Sequence, residues 1–297
     1  MRRHPQWLKK PLVMNDNFYA TREALAACGV NTVCESSRCP NIGECFSKPF
    51  ATFLMLGKSC TRTCRYCAVE KGKPLPPDPA EPEKIARIAG RLGLKHVIIT
   101  SVTRDDLSDG GALLFVRAVE VLRAARPGIR TELLIPDFNG DPDSIDAIVG
   151  CGASVIGHNI EKVRRLFPVL RRGSDYDRSL GVLRRIKEIN SRQTTKSGIM
   201  VGLGETSGEV IQAMEDLKRA GCDMLTVGQY LCPDAISSVP VAEFIAPEIF
   251  EAYAARGAAM GFEHVSSGPF VRSSYMAEAS YAKLEDEDHE CHVAAAC

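Results

Sequence analysis

Six short runs of β-branched and apolar residues, at 51–56, 96–101, 130–135, 154–159, 197–201 and 224–229, alternate with stretches of helical periodicity. This alternation restricts the chain to a mostly parallel sheet whose strands are joined by helices. The helical patterns lie at 82–92, 112–125, 143–150, 179–190 and 208–220. Asp143 or Ser144 is placed to cap the third of them, with Gly150 following it, and Gly221 closes the last. Six strands suit a partial barrel better than a closed eight-stranded one, and barrels of this kind keep their chemistry at the C-terminal ends of the strands. The expected fold class is therefore α/β, a partial (β/α)6 TIM-like barrel at 51–265, flanked by an N-terminal extension at 1–50 and a C-terminal segment at 266–297.

The 297 residues are 45% hydrophobic, enough for a large core, and 37 basic side chains balance 37 acidic ones. That balance gives no global field for nucleic acid or an anionic membrane. The N-terminus shows no apolar leader, and the longest uncharged apolar stretch, 147–160, is too short to span a bilayer. A cytoplasmic monomer is expected, with neither nucleic acid nor membrane as partner. In the N-terminal extension a helical stretch at 21–28 precedes a loop at 33–49 that has little periodicity and needs some other source of order. The end of the chain, with Glu285-Asp-Glu-Asp-His-Glu290, reads as a frayed solvated tail rather than a metal site of Cys291, His292 and Cys297.

Twelve cysteines in a chain of this type are not expected to pair as disulfides. Six are scattered singly and read as small hydrophobes. The other six fall in two sets. Cys60, Cys64 and Cys67, in Gly57-Lys-Ser-Cys-Thr-Arg-Thr-Cys-Arg-Tyr-Cys, crowd three thiolates onto one loop just after the first run. A 4Fe-4S cluster normally takes four thiolates, so three leave one iron open. Zinc is the alternative, but its closed tetrahedral sites usually pair two-cysteine knuckles. Cys34, Cys39 and Cys45 form a second three-thiolate set, for which a cluster would order the loop through ligation, and zinc with a distant fourth ligand is again the alternative.

The first set, with Tyr66 before its last cysteine, resembles the signature of the radical S-adenosylmethionine (SAM) superfamily. Gly198-Ile-Met-Val-Gly-Leu-Gly-Glu205 is similar to that superfamily's glycine-rich adenine-contacting motif, and His158-Asn-Ile-Glu161 to a ribose-contacting stretch. Together with Glu35-Ser-Ser-Arg-Cys-Pro-Asn-Ile-Gly-Glu-Cys45, Ser101-Val-Thr-Arg-Asp-Asp106, Leu134-Ile-Pro-Asp-Phe138, Gly228-Gln-Tyr-Leu231 and Arg272-Ser-Ser-Tyr275, these motifs resemble the lipoyl synthase family from Trp7 to Ala277. Departures are Thr103 for an acidic residue, Tyr66 for phenylalanine, and Cys232 for an expected glutamine.

The resemblance implies a radical SAM barrel whose mouth is closed by the two extensions, with two 4Fe-4S clusters and SAM as cofactors. It implies sulfur insertion at C6 and C8 of an octanoyl chain carried on the lysine of a lipoyl carrier domain. Those carbons are unactivated, so acid–base or nucleophilic chemistry alone would fail and a carbon radical is needed. By the same resemblance Cys60, Cys64 and Cys67 hold the radical-generating cluster. Cys34, Cys39 and Cys45 hold the auxiliary cluster that donates sulfur, with Ser274 as fourth ligand and Ser273 as the competing choice. Arg272 is the cation expected beside that serine, and Arg272 and Ser274 are the catalytic candidates. Thr100, Ser101, Asn159, Glu161, Arg178, Gly202, Gly204 and Glu205 are the cofactor-binding candidates, Arg178 for SAM's carboxylate.

Further partners implied are an electron donor such as ferredoxin or flavodoxin and an iron–sulfur carrier that rebuilds the auxiliary cluster. Between Glu161 and Lys196, eleven Lys or Arg stand against four Asp or Glu. This excess, including Arg164, Arg165, Arg184 and Arg185, reads as a solvated face, with steering of an acidic carrier domain as the alternative. Two rival functions share the first set: another radical SAM sulfur-insertion enzyme such as a methylthiotransferase, and a non-catalytic iron–sulfur or zinc protein. The former lacks an account of the Cys34 to Cys45 spacing and of Arg272-Ser-Ser-Tyr275; metal analysis separates the latter.

Overall fold

A computed structural model of the chain describes residues 3–275 apart from 49, 235 and 237, so the acidic tail with Cys291, His292 and Cys297 lies outside the described residues. The N-terminal part holds α1 (Asp16–Cys28), β1 (Asn31–Thr32), α2 (Val33–Ser36) and α3 (Ile42–Ser47). Then follow β2 (Thr52–Met55), β3 (Ser59–Cys60), β4 (Glu70–Lys71), α4 (Glu81–Arg91), β5 (His96–Ser101), α5 (Ala112–Ala125) and β6 (Arg130–Leu134). The chain continues through α6 (Pro142–Gly150), β7 (Val155–Gly157), α7 (Phe167–Leu170), α8 (Tyr176–Ile189), β8 (Thr194–Val201) and α9 (Ser207–Arg219). It closes with β9 (Met224–Gln229), α10 (Pro247–Ala259) and β10 (His264–Gly268).

One sheet runs β1-β2-β5-β6-β7-β8-β9-β10, parallel throughout except for β1, which pairs antiparallel with β2. All six expected runs are strands, β5 and β9 with the expected bounds. The sheet also has a seventh parallel strand, β10, which crosses the boundary expected at 265. Its sequence, His-Val-Ser-Ser-Gly, has no apolar run, and its residues pair one for one with Met224 to Gly228 of β9. The segment 33–49, expected as an irregular loop, contains the short helices α2 and α3. Helix α6 is capped two residues earlier than expected, by Asp141, whose carboxylate accepts from the Ser144 amide at 2.9 Å. Gly221 stands just past α9 at φ +83°, as its closing role requires.

Alternation along each strand sorts the two faces of the sheet. Phe53, Val97, Ile99, Leu133 and Ile156 join Ile85, Ile88, Phe115, Val119 and Ile145 from α4, α5 and α6 in one apolar cluster. Ile199, Val201, Leu225 and Val227 do the same with Leu180, Leu183, Val210, Met214 and Phe250 of α8, α9 and α10. The opposite face is left for polar groups and a ligand: Lys196 Nζ meets Glu132 Oε1 at 2.8 Å inside the barrel. Leu134, Gly198, Met200, Thr226 and Gly228 line a cavity there.

Beyond β10 the chain turns back over this cavity. The Val271 amide donates to the Gly268 carbonyl at 3.1 Å and the Tyr275 amide to the Arg272 carbonyl at 2.9 Å, so 268–275 forms two successive tight turns. The Val271 carbonyl lies so near Gly228 that a Cβ there would collide with it. Gly228→Ala is therefore expected to push the C-terminal segment off the sheet, at a cost of about 1–3 kcal/mol in urea unfolding. An unchanged midpoint would show that the contact does not hold the segment.

Candidate active site

The turn that launches the first cysteine set is strained. Leu56, fully buried, has φ +67°, and Gly57 has φ +95°. The Leu56 amide donates to Glu81 Oε2 at 2.8 Å, and Arg104 Nη1 donates to the Leu56 carbonyl at 3.1 Å. Burial raises the Glu81 carboxyl's pKa, against the pull of the Leu56 and Gly57 amides. From this turn the chain passes through β3 and loops over Cys64 and Cys67 before pairing back as β4, with Ser59 beside Glu70 and Cys60 beside Lys71. Thr61 ties the loop to the end of β5: its amide and hydroxyl donate to the Thr103 carbonyl at 3.1 and 3.0 Å.

Arg62, inside the cysteine loop, is buried in a polar network that sequence reasoning missed. Its guanidinium donates to both Asp105 carboxylate oxygens at 2.8 Å, to Asp137 at 2.6 Å, to Asn139 at 2.9 Å and to Ser174 at 2.7 Å. Arg178 Nε donates to the other Asp137 oxygen at 2.9 Å. Burial alone would push Asp137 up, but Arg62, His158 and Arg178 together hold it well below the ordinary carboxylate range.

The cavity measures about 470 Å³ and receives Cys34, Cys39, Cys45, Cys67, Asn159, Glu161, Arg272 and Ser274. Such a volume lies within the range of about 300–1,000 Å³ usual for small-molecule sites. Cys60 and Cys64, on the same loop as Cys67, are not part of the cavity lining, and the Arg62 amide donates to Cys60 Sγ at 3.4 Å. Both cysteine sets are free of disulfides. Burial, with the neighbouring thiols, raises Cys34 to about 11 and Cys45 and Cys67 to about 12. Thiols so crowded and buried become thiolates only beside a cation, and cluster iron supplies one. Among the described residues no three His, Cys, Asp or Glu side chains converge on a point for one metal ion.

Around the cavity, Asn159 Nδ2 donates to Ser273 Oγ at 2.6 Å and to Glu161 Oε1 at 3.0 Å, while its buried Oδ1 has no partner among the described residues. Ser273 is thus occupied; Ser274 has no such side-chain bond among the described residues. Cys39 and Glu161 are the acidic groups nearest in electrostatic effect to the buried Arg272 guanidinium, which also donates to the Val271 carbonyl at 2.6 Å. Other expected site residues stand apart from the cavity lining. Thr100 Oγ1 donates to the Leu134 carbonyl at 2.8 Å, and the buried Ser101 Oγ has no partner among the described residues. Gly202 and Gly204 turn the chain at φ +100° and +98°, and the Glu205 carboxylate accepts from the Gly202 and Leu203 amides. Arg178 is held by Asp137.

Two buried cations not expected from sequence lie next to these residues. Arg171 donates to the carbonyls of Asn159 and Ile160 at 2.6 and 3.2 Å, and its charge pulls the Cys64 thiol down against the larger effect of burial. Lys162, directly after the His158-Asn-Ile-Glu161 stretch, places Nζ 4.8 Å from the Tyr66 ring and 5.5 Å from that of Tyr230. Burial brings its pKa down to about 7. Cys232 also lines the cavity, its thiol donating to the Asp234 carbonyl at 3.3 Å. The arginines of the basic stretch are largely paired: Arg164 with Asp177, Arg165 with Glu209 and Arg185 with Asp146, at 2.6–2.7 Å.

Comparison with known proteins agrees with this geometry. Residues 54–228 match the family model of the radical SAM superfamily. The fold resembles that of methylornithine synthase PylB (TM-score 0.55, 14% identity, 86% of this chain and 78% of that one) and of the hydrogenase maturase HydG (TM-score 0.56, 12% identity, 87% and 73%). The chain is thus a radical SAM protein. It is 49% identical to lipoyl synthase of Caldanaerobacter subterraneus subsp. tengcongensis and 51% identical to that of Geobacter metallireducens, over 93% of this chain and 96% of each relative. Within the superfamily it belongs to the lipoyl synthase family.

The Asp137 pair carries a pH prediction. Its pKa is lowered in the native state, so the unfolded chain binds this proton more tightly. The stabilisation is complete above the ordinary value of 3.8 and is lost as pH falls through the lower native value. Asp137→Asn, which leaves Arg62 paired with Asp105, should cost about 1.5–3 kcal/mol at neutral pH, and the difference from wild type should shrink in unfolding measured towards pH 3. A constant difference would contradict the pairing.

Proposed function

We propose that the chain inserts sulfur at C6 and C8 of an octanoyl chain borne on the lysine of a lipoyl carrier protein, yielding the lipoyl group. The observation that carries this reading is the meeting of Cys34, Cys39, Cys45 and Ser274 with Cys67, the last cysteine of the first set, around one cavity. Cys60, Cys64 and Cys67 would hold a 4Fe-4S cluster, three protein ligands leaving room for SAM. Cys34, Cys39, Cys45 and Ser274 hold the second cluster, the sulfur-bearing substrate. When bound, the first cluster and SAM supply a primary carbon radical able to take hydrogen from unactivated carbon.

The protein's own residues bind, orient and shield. Asn159, fixed by Glu161 and Ser273, offers its free Oδ1 to a ribose hydroxyl. Gly202, Gly204 and Glu205 shape the turn after β8 and so act through the backbone, while Thr100, at the end of β5, holds the Leu134 carbonyl and so steadies a residue that lines the cavity. Arg171, facing Cys64, is better placed than Arg178 to balance the charge of the thiolates and of SAM's carboxylate. Arg178 instead steadies Asp137, and through it Arg62 and the cysteine loop. Val33, Phe50, Leu134, Met200 and Val271 give the cavity apolar walls for an alkyl chain. Arg272 stands ready to compensate the Ser274 alkoxide, a hard ligand poorly matched to a soft cluster and therefore its point of release.

This reading divides the chain into the extension 1–50 with the second cysteine set, the barrel 51–265 and the C-terminal segment 266–297. It places the protein in the cytoplasm as a monomer that draws electrons from a ferredoxin or flavodoxin and has its second cluster restored by an iron–sulfur carrier. No helix among the described residues is long and apolar enough to cross a membrane.

Anaerobically reconstituted, reduced protein should add two sulfur atoms to an octanoylated carrier peptide with SAM present, read by mass spectrometry. Cys34→Ala should abolish the sulfur gain, and Cys60→Ala the cleavage of SAM as well. SAM cleavage by the wild-type protein with no sulfur on the peptide would remove the assignment to lipoyl formation.

A further inference from the structure

The C-terminal segment that carries Ser274 is anchored upstream by β10 and downstream by a cluster of contacts centred on Lys10. Lys10 Nζ donates to Glu44 Oε2 at 2.5 Å and to Asn41 Oδ1 at 3.0 Å, and both partners lie between Cys39 and Cys45. The same ammonium lies 5.3 Å from the Phe270 ring centroid and 5.2 Å from that of Tyr275. The segment returns these contacts: Tyr275 Oη donates to both Glu44 oxygens at 3.1 and 3.2 Å, and the Phe270 carbonyl accepts from Asn41 Nδ2 at 2.7 Å. One cation thus bridges the N-terminal strap, the second cysteine loop and both ends of the segment holding Ser274. Side-chain exposures of 23% for Lys10 and 25% for Glu44 leave the bridge shielded enough to matter and close enough to solvent to open.

We propose that Lys10 is the positioning residue that keeps Ser274 against the second cysteine set, and that release of this clasp controls how fast iron leaves that set. The inference rests on the reading that Cys34, Cys39, Cys45 and Ser274 hold a cluster. Lys10 touches neither cluster nor substrate; it acts through Glu44, Asn41, Phe270 and Tyr275. Ser274 itself sits one residue from Tyr275, so loss of the clasp loosens the serine's segment from the Asn41–Glu44 stretch of the second cysteine loop, and no contact of the clasp reaches the first set.

The test uses the full reconstituted protein, challenged with an iron chelator in the absence of SAM and followed by iron release and by the separate magnetic signals of the two clusters. Lys10→Met, which keeps the stem and removes the charge, should release the second cluster's iron about tenfold faster. The first cluster's release should stay at the wild-type rate. Lys10→Arg should restore slow release, and Tyr275→Phe, which removes only the hydroxyl to Glu44, should show a smaller acceleration. Wild-type kinetics in Lys10→Met, or equal acceleration of both clusters, would overturn the proposal. Failure of the wild-type protein to take up a second cluster would instead overturn the reading on which it rests.

Discussion

The backbone contact between Gly228 and the Val271 carbonyl is the constraint on which the site depends. It lies at the end of β9, where a side chain of any size would hold the returning chain away from the sheet. Because the approach is close, the segment after β10 lies across the barrel interior and brings Arg272, Ser273 and Ser274 to the cavity wall. There it meets the N-terminal cysteine loop, through Asn41 at Phe270 and Glu44 at Tyr275. Residues more than two hundred positions apart in sequence thereby enclose one chamber.

Electrostatics divides the chamber's surroundings into a fixed side and a yielding one. On the fixed side, Arg62 and Asp137 are buried and mutually saturated, so the first cysteine loop is locked to the ends of β5 and β6. Removing either partner would strip a buried charge of one of its two counter-ions, Asp105 remaining to Arg62 and Arg178 to Asp137, which costs more than losing a surface ion pair. On the yielding side, the Lys10–Glu44 pair is partly solvated, and Ser274, in the proposed role, would be a mismatched cluster ligand. A reaction in which one cluster must persist and the other is consumed calls for that asymmetry.

Much of this was legible in the sequence because it depends on local spacing. The alternation of β-branched runs and helical stretches located six strands, and the two cysteine spacings marked the two cysteine loops. Legibility failed where structure depends on contacts distant in sequence. Strand β10 owes its conformation to β9, since Ser266 and Ser267 carry little strand signal of their own. Helix α10 had local signals, Pro247 at its first position and Phe250, Tyr253 and Gly257 buried along it, but it follows the last of the six expected runs, where no helical stretch was expected. Arg178 and Arg171 are indistinguishable as sequence. Only the fold shows that the first is held by Asp137 and that the second faces Cys64.

The central claim is that the cluster held by Cys34, Cys39, Cys45 and Ser274 is the source of the inserted sulfur. The most direct test is to rebuild the protein with heavy-isotope sulfide, transfer it to buffer containing ordinary sulfide, and allow one turnover on an octanoylated carrier peptide. The account predicts heavy sulfur in the lipoyl product, with loss of the second cluster's magnetic signal and retention of the first. Ordinary sulfur in the product, or heavy sulfur with both cluster signals undiminished, would contradict it.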